Sequence, residues 1–330
     1  MRASVIAMGV FVCLGPLAIG LPGCVAGGPD STKRSPATAA VPRAVRLAVA
    51  AQLRKTPGDV TLRDLASVRE LNLVGSDIED LAFAADMPKL RILDLRFTSV
   101  RDLRPLSGLR DLWWLSVESS RVSDIAPLRD VPHLTKLFLT DTAVSDLGPL
   151  EGLVHLRSLS IEGTKVSDLA AIAGLEDLWY FWCDRTDIRS IEPLRGMKKL
   201  QKLGLSETSV SDLRPLADHV LLRDVNLYAT QVRDLKPLAG CGKMEVLDLG
   251  RTGVGDLTPL RSLDRLRHLS LGRTGTSDLK PLSGLENLEF LDLTFTRVGD
   301  LEPIVRLPRL KDVRLYGTPA AAGGATWPSR

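Results

Sequence analysis

The sequence predicts an α/β fold: a curved, right-handed solenoid with a continuous parallel β-sheet on its concave face and 3₁₀ or short helical turns on its convex face. Two observations support this. A pattern of 22 residues recurs along most of the 330-residue chain without insertion or deletion. Within each copy, apolar residues alternate with variable ones over one short segment, as expected for a strand buried on one side. A fixed period of this size indicates stacked units that share one core.

The repeat is clearest over residues 134–155, and its frame is L-x-x-L-x-L-x-x-T-x-V-x-D-L-x-P-L-x-x-L. The L-x-x-L-x-L segment is typical of leucine-rich repeats, in which it forms the strand. Eleven full repeats begin at residue 68, and a partial twelfth ends the array at residue 318. The fourth position advances in steps of 22 through Leu71, Leu93, Leu115, Leu137, Leu159, Phe181, Leu203, Val225, Leu247, Leu269, Leu291 and Val313.

Two polar columns run through the array. The ninth position is a hydroxyl residue in all twelve repeats, and we expect it to bond the turn backbone and its neighbour in the stack. The thirteenth position is Asp in ten repeats, Asp80 being the first, and a proline follows in most of them. This spacing favours a cap on a short helical turn over calcium binding, because calcium-binding repeats are Gly-rich and have a different frame.

Residues 43–318 resemble the internalin-like leucine-rich-repeat proteins of bacteria. The resemblance rests on the 22-residue frame and on the entry L-R-K…G-D-V-T-L-R-D-L-A, which precedes the first repeat. It implies that residues 43–67 form a helical cap over the open end of the array, with Thr61 as the N-cap of a short turn. Threonine replaces the asparagine that is usual at position nine, so the sequence is a threonine variant of the pattern.

The N-terminal 24 residues look like a bacterial lipoprotein signal, with Cys24 as the lipidated residue. Arg2 precedes an apolar run that ends in Leu-Pro-Gly-Cys. Cleavage as an ordinary secretory signal and retention as a membrane anchor remain alternatives. Residues 25–42 are small and polar and predict a flexible linker. We therefore expect an exported protein of the cell envelope, attached to a membrane only by a lipid.

The C-terminal segment 319–330 is rich in Ala and Gly and is interpreted as a loose tail, with folding of Trp327 over the last strand as the alternative. Two cysteines lie within the repeats. Cys183 takes an inward Leu position and Cys241 a convex one two repeats later. Their separation argues against a disulfide and for two small buried side chains.

Composition and motifs narrow the function. A net charge of +3 among 83 charged residues argues against nucleic acid, which requires a concentrated basic face. His133 and His155 stack 22 residues apart, and His268 lies diagonal to Asp248 and Asp292. Neither set is accompanied by a nucleophile motif or a Gly-rich phosphate loop. The sequence thus predicts a monomeric binding protein without catalytic activity, metal or cofactor.

The candidate binding residues lie at positions three, five, seven and eight, whose side chains point out from the strands onto the concave face. We expect small residues such as Ser158, Ser160 and Gly204 to leave shallow space among them. Clustered exposed aromatics favour a protein or peptide ligand; an envelope glycan or a purely structural role, with the rings only stiffening the sheet, are the alternatives. A second, weaker patch comprises Phe290, Phe295, Arg314 and Tyr316. The main candidates are Trp114, Phe138, Tyr180, Trp182 and Tyr228, with Glu118, Asp141, Glu162, Asp184 and Glu207 around them.

Overall fold

A computed structural model describes residues 41–327, and within them twelve short strands form one parallel sheet in sequence order. Each strand spans three residues centred on the fourth position of its repeat. Register partners are separated by 22 residues, for example Leu137 and Leu159. The strands are β1 Glu70–Asn72, β2 Ile92–Asp94, β3 Trp114–Ser116, β4 Lys136–Phe138, β5 Ser158–Ser160, β6 Tyr180–Trp182, β7 Lys202–Gly204, β8 Asp224–Asn226, β9 Val246–Asp248, β10 His268–Ser270, β11 Phe290–Asp292 and β12 Asp312–Arg314.

The sheet forms because the strand leucines alternate with outward-facing residues. Leu137 and Leu139 are fully buried, whereas Phe138 between them is only partly buried and faces outward. Backbone hydrogen bonds continue past each strand; the Leu139 N–H donates to the Ser160 carbonyl at 2.8 Å. The buried leucines of all repeats belong to one hydrophobic cluster. The predicted leucine-rich-repeat solenoid is confirmed, with the sheet on its concave face.

Short 3₁₀ helices form the convex side, and the Asp column begins them. The Asp102 carboxylate accepts the N–H of Arg104, the first helical residue, at 2.9 Å. Ser190 accepts the corresponding N–H of Glu192 at 3.3 Å. The capping interpretation is therefore confirmed. The 3₁₀ helices are Pro57–Asp59, Ala82–Asp86, Arg104–Leu106, Ala126–Asp130, Gly148–Leu150, Ala170–Ile172, Glu192–Gly196, Arg214–Leu216, Lys236–Leu238, Thr258–Ser262 and Lys280–Leu282.

The hydroxyl column closes the turn of each repeat. In eleven of the twelve repeats the hydroxyl donates to the carbonyl three residues earlier, as Thr208 does to Leu205 at 2.6 Å. Ser120 differs and accepts the Val122 N–H at 3.4 Å. Among the described residues these bonds stay within one repeat, so the expected bond between stacked hydroxyls is wrong: each hydroxyl is already directed at its own turn.

The eighth position has a left-handed backbone in every repeat, with φ between 53° and 74°. Only Gly75, Gly163 and Gly317 are glycine there. The other nine positions carry side chains in a conformation that costs an L-residue ~1–2 kcal/mol. At these nine positions the strained backbone of the turn therefore fixes where the side chain leaves the main chain.

Helix α1, Arg43–Leu53, precedes the array and buries Val45, Val49 and Ala50 in the same hydrophobic cluster as the repeats. Helix α2, Leu62–Leu65, starts at Thr61, whose hydroxyl and backbone form a capping box with Asp64. Val41 is also buried, so the packed region begins two residues earlier than expected. The predicted signal, Cys24 and the linker up to residue 40 lie outside the described residues. Within residues 41–327, no helix has the length and apolarity needed to cross a membrane.

The C-terminal end is more ordered than a loose tail. After α3, Glu302–Val305, and β12, a helical turn α4 spans Pro319–Ala322. The Thr318 hydroxyl caps it by accepting the Ala321 N–H at 3.1 Å, and Pro319 suits the first turn. Trp327 packs against the hydrophobic cluster. The loose-tail interpretation is therefore wrong for residues 319–327. It rested on the Ala- and Gly-rich composition and overlooked that Thr318 and Pro319 can begin a helical turn.

Two features of the core depart from pure leucine packing. Cys183 and Cys241 are free and buried, as expected. His219 occupies a site that is apolar in the other repeats and is fully buried. Its Nε2 lies 3.0 Å from the Leu194 carbonyl oxygen, whereas its Nδ1 has no partner in the described part of the chain. Burial lowers the pKa of His219, so the neutral ring is favoured.

Candidate functional site

The outward aromatic residues form two ring pairs on either side of β5. Trp114 on β3 contacts Phe138 on β4 with ring centroids 5.5 Å apart. Tyr180 and Trp182, both on β6, stack at 5.8 Å with their planes 23° apart. All four side chains are partly buried. The structure therefore brings together four of the five predicted aromatic residues, as two pairs.

The space expected beside these rings is closed. Ser158 and Ser160 on β5 are only 4% and 2% exposed, and the Ser160 hydroxyl lies 2.7 Å from that of Thr140. Gly204 is buried as well, because Trp182 and Asp184 lie over it; a Cβ there would be 3.0 Å from Trp182 Cδ1 and would collide with Asp184. Neighbouring side chains lie over Gly204, and Ser158 and Ser160 are buried between the two ring pairs, so these small residues leave no open space beside the rings.

Tyr228 is not part of this cluster. It lies beyond the C-terminal end of β8 and contacts Arg251, whose guanidinium is 6.0 Å from the ring centroid. The Arg251 Nη1 donates to the tyrosine hydroxyl at 3.4 Å. Tyr228 therefore belongs with the basic residues of the C-terminal repeats, and its sequence-based grouping with the other aromatics is corrected by this contact.

A row of carboxylates lies at position seven beside the ring pairs. Glu118, Glu162 and Asp184 follow β3, β5 and β6, and all three are partly buried. Asp184 accepts the Ser206 N–H, and Glu118 accepts the Ser116 hydroxyl at 3.3 Å. Arg96 is 3.9 Å from Glu118. Among the described residues, neither Glu162 nor Asp184 has a basic nitrogen within 4.0 Å.

These environments raise the pKa values of the row. Burial, with the charge of Asp184 as a second cause, raises the pKa of Glu162 to about 7. Burial raises the pKa of Asp184 to about 6, although the Ser206 N–H opposes the shift. Burial also raises the pKa of Glu118. When these carboxylates are ionised near neutral pH, their negative charges are thus only partly balanced by nearby positive charges, and a cation placed beside them would be stabilised.

The remaining two predicted acids lie at position eight and are exposed. Asp141 forms an ion pair with Arg185 at 3.2 Å, across the intervening repeat. The pair passes over Gly163, where any Cβ would collide with the Asp141 carboxylate. Glu207 forms no ion pair in the described region. Asp141 therefore already has a basic partner. Of the five predicted acids, Glu162 and Asp184 are the partly buried ones that form no ion pair with a described residue.

Sequence reasoning missed the arginines at the site. Arg96 forms an ion pair with Asp94 at 2.7 Å and approaches Glu118, and Arg185 pairs with Asp141. The repeat spacing indicates the Asp141–Arg185 pair, because the same position in alternate repeats is separated by 44 residues and both residues occupy position eight. What the sequence lacks is the direction in which each long side chain leans.

The geometry supports binding and offers little for chemistry. His268 stacks on Phe290 with ring centroids 6.0 Å apart, rather than forming a pair with Asp248 or Asp292. Asp248 and Asp292 accept the backbone N–H groups of Gly250 and Thr294, each at 2.8 Å. No cluster of metal-ligating side chains occurs within residues 41–327. The concave face therefore presents aromatic area and charge, and in this part of it His268 contacts a ring while Asp248 and Asp292 hold backbone N–H groups.

Comparison with known proteins places the fold. No family model matches the chain, and no curated protein matches its sequence. Among solved structures, an internalin of Listeria monocytogenes, InlF, superposes with a TM-score of 0.80 at 26% identity and covers 83% of this chain and 82% of its own. A leucine-rich-repeat protein of Leptospira interrogans gives 0.73 at 18% identity, covering 78% and 68%.

The chain is thus a leucine-rich-repeat protein. Within that class, its fold is similar to that of the internalins, as the sequence resemblance implied. A plant peptide hormone receptor, RGFR1, solved in complex with RGF2, shares the fold with a TM-score of 0.67 at 17% identity. This chain spans 44% of that receptor's length.

Proposed function

We propose that the protein is an exported scaffold that binds a polypeptide on its concave face. The binding site consists of the two ring pairs of Trp114, Phe138, Tyr180 and Trp182 and the adjacent row of Glu118, Glu162 and Asp184; we call it the concave site. The observation that carries the proposal is that Glu162 and Asp184 are partly buried and lack a basic partner in the described chain, directly beside clustered aromatic rings.

Two physical effects would act together at this site. Aromatic side chains that are only partly buried can bury further apolar area against a ligand, and such rings dominate the energetics of many interfaces. A Lys or Arg side chain of the ligand would neutralise Glu162 and Asp184, whose pKa values are raised because burial disfavours their charged forms. The proposed ligand therefore combines apolar and basic residues. The likeness to a receptor solved with a bound peptide supports this class of ligand.

A glycan is the second candidate. The near-parallel rings of Tyr180 and Trp182 offer a flat platform on which a sugar ring stacks, and carboxylates accept hydrogen bonds from hydroxyls. We favour the polypeptide because sugar hydroxyls carry no charge and would leave Glu162 and Asp184 without a cation.

The test compares two double variants of the full-length chain. Tyr180→Ala with Trp182→Ala removes one ring pair of the concave site. The control, Trp113→Ala with Trp179→Ala, removes two rings that lie outside the concave site, directly before β3 and β6. These rings contact the side chains of Lys136 and Arg157, respectively. Each protein is used to capture binders from a detergent extract of cell envelopes, and captured polypeptides are purified and titrated individually.

We expect a purified polypeptide that binds the parent and the control variant with similar Kd and the concave-site variant at least tenfold more weakly. Affinity should fall between pH 7.5 and pH 5, because protons then compete with the ligand's cation for Glu162 and Asp184. Binding that tracks peptidoglycan or polysaccharide in the extract would support the glycan instead. Equal loss in both variants would contradict a role for the concave site.

Export and anchoring at Cys24 are part of the proposal and rest on the sequence of residues 1–24. We expect the parent chain to partition into detergent with the mass of a diacylated or triacylated protein. The Cys24→Ala variant should lose that mass increment and leave the membrane fraction. A variant that stays membrane-bound with unchanged mass would contradict lipidation.

A further inference from the structure

The concave face of repeats nine to twelve carries arginines that are held against aromatic rings. The Arg251 guanidinium lies over Tyr228, Arg273 over Phe295 at 4.2 Å from the ring centroid, and Arg314 over Phe290 at 4.9 Å. We call Arg251, Arg273 and Arg314, with these rings, the arginine patch. The patch lies at the opposite end of the sheet from the row of Glu118, Glu162 and Asp184.

The guanidinium groups of the patch have no acidic partner within residues 41–327. Among the described residues no carboxylate oxygen lies within 4.0 Å of Arg251, Arg273 or Arg314. Arg314 is instructive, because its register partner on β11 is Asp292, yet its guanidinium lies over Phe290. A guanidinium over a ring face presents N–H groups at its edge that match the two oxygens of a carboxylate. In Arg251 one Nη1 N–H donates to the Tyr228 hydroxyl, and the other N–H groups remain to bind a ligand.

Two aromatic rings at this end of the sheet are exposed. Phe295 is 43% exposed and Tyr316 is 74% exposed, and the two rings meet edge to face at 5.2 Å. Exposed apolar area beside unpaired cations marks a recognition surface. The ligand that fits such a surface contributes both carboxylates and apolar side chains.

The neighbouring carboxylates argue against a dense polyanion. Asp248 and Asp292 lie on β9 and β11, within the same face, and are partly buried. A polymer with a negative charge on every unit would be repelled by them, whereas a peptide can place its acidic residues singly opposite the arginines. Adjacent strands are about 4.8 Å apart, so β9 to β12 span ~15 Å, the length of about five extended residues.

We propose that the arginine patch binds an acidic segment of a polypeptide, in which Asp or Glu alternates with apolar residues. This is a second site, separate from the concave site and independent of its ligand. If one polypeptide occupies both, its basic part lies near β5 and β6 and its acidic part near β9 to β12.

The test selects peptides without presupposing their sequence. A library of random 12-residue peptides on phage is panned at 0.15 M salt on the full-length chain, and the most enriched peptide is synthesised with a fluorescent label. Its Kd is measured for the parent, for the patch variant (R251Q, R273Q and R314Q) and for a control with the same charge change. The control substitutes Arg129, Arg261 and Arg306 by Gln; all three are exposed on the convex side, and none forms an ion pair with a residue of the described range 41–327.

We expect enriched peptides that combine Asp or Glu with apolar residues, and a Kd at least tenfold weaker for the patch variant but within twofold of the parent for the control. The Tyr180→Ala, Trp182→Ala variant should retain this peptide, so that failure here and failure of the concave site are distinguishable. The proposal would be overturned if no peptide with acidic residues were enriched, or if patch and control variants weakened binding of the acidic peptide equally. Displacement of the peptide by a uronic-acid polysaccharide that binds the patch more tightly would also overturn it.

Discussion

Glu162→Gln should stabilise the free protein at alkaline pH, and the size of the effect follows from the raised pKa of this carboxyl group. The folded-state pKa is about 7 against an ordinary value of 4.5. The folded protein therefore holds a proton that the unfolded chain has released. The stabilising contribution of the protonated group is fully present below pH 4.5 and is lost as the pH rises through 7.

A shift of this size corresponds to ~3 kcal/mol at 1.36 kcal/mol per pH unit, and sharing of the repulsion with Asp184 reduces it to ~2 kcal/mol. Glutamine has the same shape and no charge to desolvate. We therefore expect the variant to be ~2 kcal/mol more stable than the parent at pH 8, which corresponds to an increase in Tm of about 3 °C for a folded region of this size. At pH 4.5 the two proteins should be nearly equal.

The assay is thermal and guanidinium unfolding followed by circular dichroism at pH 4.5, 6.5 and 8. Glu207→Gln serves as the control, because Glu207 is an exposed glutamate on the same edge of the sheet. A Tm that is unchanged by Glu162→Gln at pH 8, or raised equally at all three pH values, would refute the reasoning. The same substitution should weaken binding of a basic ligand, so stability and function would change in opposite directions.

Two further substitutions test the core and the turns. His219→Leu should raise stability by ~1–2 kcal/mol at pH 7, because it removes a buried Nδ1 that has no partner in the described chain. The Leu194 carbonyl loses the His219 ring nitrogen but keeps the Met197 N–H. The gain measured by urea unfolding should grow as the pH falls below 6.5, since the lowered pKa of His219 makes the folded protein resist a proton that the unfolded chain accepts. Thr208→Val should lower the free energy of unfolding by ~1–2 kcal/mol, because the Leu205 carbonyl loses its hydroxyl donor. The control is Ser209→Ala, whose hydroxyl forms no hydrogen bond in residues 41–327 and whose loss should change the urea midpoint little. Equal effects of the two substitutions would contradict the proposed role of the threonine column.

The architecture was predictable because every repeat poses the same packing problem. Leu137 and Leu159 occupy the same position in consecutive repeats, and stacking is the arrangement that buries both. The Asp and hydroxyl columns were also readable, since their partners lie two or three residues away in the chain. Local spacing therefore determines most of the fold.

The site was predictable by position but not by detail. The 22-residue register correctly placed Trp182 and Asp184 on the outward face. It also predicted open space at Gly204, whereas both side chains cover this residue. It grouped Tyr228 with the other rings, whereas that ring contacts Arg251. These differences arise from rotamers, which depend on neighbours 22 or 44 residues away. The C-terminal end was misjudged for another reason, because Trp327 packs against a core that composition does not reveal.

The left-handed residue after each strand has a consequence for how the surface could have evolved. Glycine would relieve the strain at position eight, yet nine of twelve repeats keep a side chain there, including Asp141, Arg185, Arg251, Arg273 and Phe295. Each forgoes on the order of 1 kcal/mol of stability. The backbone of this row is left-handed in all repeats and the repeats have one length, so a side chain exchanged at one position leaves the spacing of the others untouched. The row therefore behaves as a set of interchangeable display positions on an unchanging frame, and new ligand specificities could be built there one repeat at a time.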